Sequence, residues 1–122
     1  MDIAKFKTML SENVLGLMLE FMADCGEDAS FTREDVEKCG EILTHYLESL
    51  AELTDPDDQQ IMVCVKEAVL ALNDLNEATD YCLIETEERE SIWELIQTSA
   101  VECGLHDPAD DITEQWREWY LT

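Results

Sequence analysis

Residues 57–79 read DDQQIMVCVKEAVLALNDLNEAT, the most apolar segment of the chain. Its β-branched residues Ile61, Val63 and Val65 would suit a strand. Yet Ile61, Val65, Ala68, Leu72 and Leu75 recur at steps of three and four, the period of one helix face. The stretch is also too long for a strand and has no turn inside it. Met62, Val63, Cys64, Val69 and Leu70 widen the apolar surface, so this helix is expected near the centre. Asp55 is the expected N-cap, with Pro56 at the first helical position. The run Asn73-Asp74-Leu75-Asn76 is expected to weaken its far end.

The same period appears on both sides. Upstream, Val36, Cys39, Leu43, Tyr46, Leu50 and Leu53 form a bundle seam, with Thr32 as N-cap. The opposite face carries Glu34, Glu37, Lys38, Glu41 and Glu48. Further upstream, Ile3, Phe6, Leu10, Val14, Leu17 and Phe21, widened by Leu15, Met18 and Met22, stripe a helix over residues 2–24, which Gly26 would stop. Downstream, Thr86 is the expected cap of a helix that buries Ile92, Leu95, Ile96, Ser99, Ala100 and Cys103. Gly104 and Leu105 suit a Schellman-type end. After a linker, Asp111 and Glu114 have capping-box spacing for a short helix over residues 113–120. The expectation is an all-α antiparallel bundle of about four main helices plus a short C-terminal helix. One domain spans residues 1–122.

Charge is the most informative quantity. The chain has 30 Asp and Glu against 7 Lys and Arg, a net charge of −23. Asp2, Glu12 and Glu20 against Lys5 and Lys7 leave the first 20 residues near neutrality, so the bias begins after the first helix. Solubility of a small domain needs a net charge of only about 2–8. An excess beyond that destabilises the compact state through self-repulsion. Direct binding of nucleic acid is disfavoured, because phosphate contacts need Lys and Arg. An anionic membrane surface is disfavoured likewise. No apolar run is long enough to span a bilayer, and residues 1–7 lack the unbroken apolar core of a signal peptide.

Chemistry-bearing patterns are sparse. Cys25, Cys39, Cys64, Cys82 and Cys103 are odd in number with no CxxC pair, so they read as reduced thiols of a cytoplasmic protein. His45 shares a helix face with Glu41 and Glu48, but the Glu-x-x-His pattern of a di-iron bundle is missing. None of the acidic loops fits the calcium-loop pattern. No nucleophile elbow or phosphate loop occurs. The expectation is a non-enzyme without metal or cofactor.

A basic protein is therefore the expected partner, such as a toxin nuclease or a DNA-binding protein. A nuclease must present a basic cleft to hold phosphates. An acidic helical protein would be steered into that cleft and occlude it. In size, charge and expected helicity the chain resembles bacterial immunity proteins, a resemblance of composition that rests on no motif. An immunity-type inhibitor implies contact through acids. Those expected are Glu85, Glu87, Glu88 and Glu90 with Trp93, then Glu34, Glu37 and Glu41. Trp93, Trp116 or Trp119 would be the apolar anchor. The competing role for Trp116, Trp119 and Tyr120 is to dock the last helix on the bundle. One alternative function is a DNA mimic, with carboxylates spaced like phosphates along one face. Another is a structural or regulatory bundle, for instance a homodimer through the aromatic end.

Overall fold

The computed structural model describes residues 1–25, 31–106, 111–114 and 116. Its helices are α1 (Ile3–Met9), α2 (Gly16–Cys25), α3 (Arg33–Glu52), α4 (Asp58–Ala78) and α5 (Thr86–Cys103). A π-helical segment, Leu10–Leu15, joins α1 to α2 without a break. These make four main helical rods, and among the described residues no strand occurs.

Contacts at one end fix the directions. Lys5 pairs with Glu102 at 2.7 Å and Lys7 with Glu48 at 3.3 Å. The His106 N–H donates to Asp58 at 2.9 Å, and the Cys103 thiol reaches the Leu50 carbonyl. The start of α1, the end of α3, the start of α4 and the end of α5 thus meet at this lower end. The rods alternate in direction, as short connections demand. The first rod touches α3 and α5, while α4 also touches α3 and α5. The α3 and α5 helices meet across the centre, where Tyr46 bonds the Ile96 carbonyl and Ser99. The fold is an antiparallel all-α bundle.

The π segment has a packing cause. Phe6, Leu10, Val14 and Met18 are all buried, at successive steps of four residues. An α-helix turns by 3.6 residues, so a run of fours drifts around it. The wider turn, in which the Gly16 N–H bonds the Ser11 carbonyl, absorbs that drift. Met18 therefore enters the core, whereas the expected Leu17 is only half-buried. Beside this segment Gly40 lets α3 approach: a Cβ there would lie 3.0 Å from a Leu15 methyl.

Most helix ends follow from local chemistry, with corrections. Thr32 caps α3 in a full capping box with Asp35. The cap of α4 is Asp57 and not Asp55, because Gln60 stands three residues on and completes a second box. Asp55 instead adopts a left-handed turn conformation. The cap of α5 is Glu85 and not Thr86, and it makes no side-chain capping bond. At the other end of α5, the Leu105 N–H bonds the Ala100 carbonyl and Gly104 the Val101 carbonyl, the expected Schellman pattern.

Asn73 and Asn76 do not weaken α4. Both are buried, Asn73 donating to the Trp116 carbonyl and Asn76 accepting from the Ile84 N–H. Asp111 forms no capping box with Glu114. Its carboxylate accepts from the Thr113 N–H and hydroxyl, a local turn. Ile112–Glu114 and Trp116 lie in turns, and the rest of the expected last helix lies outside the described residues.

Candidate protein-binding surface

The outer face of α3 carries a row of acids. Glu34, Glu37, Glu41, Glu48 and Glu52 are all exposed, at helical spacings that place them on one side. The row spans about 27 Å at 1.5 Å per residue. Lys38 lies 3.8 Å from Glu34 and Lys7 3.3 Å from Glu48, both exposed pairs. Exposed pairs of this kind are worth little, so the row keeps its negative field. Glu34, Glu37 and Glu41, expected from the sequence as contacts, are therefore displayed together.

This row is flanked by two depressions. On the side of the first rod, an open groove of about 580 Å³ is lined by Leu15, Gly40 and Thr44, with Glu37 and Glu48 also on its wall. On the side of α4 lies a pocket of about 260 Å³. Its apolar lining comes from Ile42 and Tyr46 of α3 and Cys64, Ala68 and Ala71 of α4. Glu41 and His45 border it on α3, and Glu67 on α4. The pocket exists because Cys64, Ala68 and Ala71 are small and recur at steps of four and three opposite Ser49. The sequence held that signal, but small residues in a seam read as close packing until the facing helix is placed.

The second expected group is split. Glu85, Glu87 and Glu90 are exposed at the start of α5, at the upper end of the bundle. Glu88 is 8% exposed, contrary to its expected solvent-facing role. Desolvation, then repulsion from Glu85 and Glu87, holds its carboxyl above the usual range. Trp93 is half-buried, and its indole N–H is buried with no hydrogen-bond partner among the described residues. Trp116 is half-buried and packs against the core, the docking role. Trp119 lies outside the described residues. Among the described residues, an exposed aromatic at the upper end is Tyr81, 57% exposed and four residues before Glu85. Asp80 and Tyr81 both hold left-handed backbone, unusual for non-glycine residues.

Three of the thiols are muted by burial. Burial pushes the Cys39 thiol up to about 12 and raises Cys64 and Cys103, so their thiolate fractions are small. Among the described residues no three His, Cys, Asp or Glu side chains converge on a metal position. No described helix is long and apolar enough to cross a membrane. Compared with protein-family models, with curated proteins and with solved structures, the chain matches none.

Proposed function

We propose that the chain is an acidic binding protein that neutralises a basic protein, as an immunity-type inhibitor neutralises a nuclease toxin. The observation that carries this reading is the exposed row Glu34, Glu37, Glu41, Glu48 and Glu52 in a chain of net charge −23. Charge of this density speeds encounter with a basic surface and excludes acidic ones. Exposed acids also stand on the other rods, among them Glu12, Glu77, Glu90 and Glu94. Acids scattered over several rods disfavour mimicry of a phosphate strand, which needs them aligned along one face. The role of a homodimer through the aromatic end is less favoured, because Trp116 is spent on the core.

The test begins with immobilised chain in lysate of its native cell, captured at low salt and eluted by a salt step. The captured protein is purified, and its association rate and enzymatic activity are measured. One basic protein bound in a fixed ratio, with its activity blocked, supports the reading. Replacing Glu37, Glu41 and Glu48 by Lys should then slow association by about tenfold or more at low salt. Capture of many unrelated proteins, all lost together in the step, would overturn it.

A further inference from the structure

We infer that the pocket between α3 and α4 receives one aromatic side chain of the basic partner, flanked in the partner's sequence by Lys or Arg. This deepens the reading above and rests on it.

Size selects the kind of occupant. Pockets for drug-sized ligands and cofactors run from about 300 to 1,000 Å³. At about 260 Å³ this one falls below that range. A cavity of about 150 Å³ already holds benzene, so a single ring fits with room for its stem.

The lining selects an apolar group. Ile42, Cys64, Ala68 and Ala71 offer little for a polar occupant. The Tyr46 hydroxyl is turned away, since it bonds the Ile96 carbonyl on α5. The apolar surface also continues outside the pocket. Val63 is 49% exposed and Leu70 40%, one turn either side of Glu67 on α4. Apolar ground within a polar rim is how protein interfaces are built.

The rim selects the neighbours. Glu41 on α3 and Glu67 on α4 stand on opposite sides of the pocket, and both are exposed. Together α3 and α4 carry ten carboxylates against Arg33, Lys38 and Lys66. An aromatic ring directs its positive edge at such carboxylates. Lys or Arg beside it complete the match, whereas an acidic segment would be repelled.

Two synthetic peptides test this, acetyl-Lys-Lys-Phe-Lys-Lys-amide and the same peptide with Ala for Phe. Each is titrated into the full-length ¹⁵N-labelled chain at low salt, and amide shifts are followed. The expected result is that the Phe peptide shifts the amides of Ile42, Tyr46, Cys64 and Ala71 and binds about tenfold more tightly than the Ala peptide. Filling the pocket by Ala71→Phe should erase that difference and leave the Ala peptide unaffected. Ser49→Phe, from the facing helix, serves if Ala71→Phe melts early. Equal affinities and shift maps for the two peptides would overturn the pocket assignment while leaving an acidic surface that binds basic chains. Binding of neither peptide would overturn the basic-partner reading and the pocket with it.

Discussion

The Tyr46 hydroxyl on α3 donates to the Ile96 carbonyl on α5 at 2.9 Å, in the middle of the bundle. These helices run in the same direction and are not joined by a single loop, so the bond fixes their relative height. The Ser99 hydroxyl lies 3.0 Å from the same phenol and also bonds the Leu95 carbonyl. Burial pushes the phenol's pKa well above the usual tyrosine range, and the Ser99 bond offsets part of that rise. Tyr46→Phe removes the donor yet leaves Ser99 a partner. The expected cost is about 1 kcal/mol, read as a lower urea midpoint with unchanged slope. No loss would mean that the phenol's burial cancels its bonds.

Glu88 should oppose folding at neutral pH. Its folded-state carboxyl titrates above the unfolded one, first because of desolvation. The folded state then binds more protons in the window between the two values. Stability from this group is full below the unfolded value and is lost as pH rises through the folded one. Glu88→Gln is thus expected to raise the melting temperature at pH 7, with the gain vanishing under acid conditions. The exposed Glu87→Gln serves as control for general relief of repulsion and should give a smaller gain. Equal gains from the two variants would show that Glu88's burial has no effect of its own.

Left-handed backbone gives a pair of opposite signs. Gly104 has φ 120° where it closes α5, and a Cβ there would meet nothing within 4 Å. Gly104→Ala is therefore a test of backbone strain alone, with an expected loss of about 1 kcal/mol or more. Tyr81 has φ 61° and an exposed ring. Tyr81→Gly relieves strain and is expected to stabilise by up to about 1 kcal/mol. Thermal melts of both variants check the signs, and two losses would mean that the Tyr81 ring contributes more than its backbone costs.

Salt should stabilise the fold. Among the described residues the Lys and Arg ion pairs are Lys5–Glu102, Lys7–Glu48 and Lys38–Glu34, all solvent-exposed. Repulsion among the remaining acids outweighs them at net charge −23. Raising salt from about 0.01 to 0.15 M shortens the screening length from about 30 to 8 Å. The melting temperature is expected to rise by several degrees, the effect of about 1 kcal/mol in a domain of this size. A fall on adding salt would mean that the paired acids govern stability.

Local features were legible in the chain alone. Steps of three and four residues mark each rod, because one helix face is a property of one segment. Thr32 with Asp35, and Gly104 with Leu105, set helix ends through bonds that span a few residues. The acids of α3 face solvent for the same reason: the apolar seam of that helix fixes its opposite side. Asp57 was equally legible, since Gln60 three residues later decides between it and Asp55.

Features that depend on two segments at once emerged with the packed bundle. The π segment decides that Met18 and not Leu17 completes the core, because the first rod packs against α3 and α5 along one side from Phe6 onward. Asn73 and Asn76 become buried ties only when Trp116 and Ile84 are brought beside them. Glu88 looks like its neighbours Glu87 and Glu90 in the chain, yet packing covers it and leaves them in water. The pocket is absent from either helix alone: Cys64, Ala68 and Ala71 leave space only where Ile42, Tyr46 and Ser49 face them. Periodicity tells which side of a helix is apolar, and the facing helix tells how that side is filled.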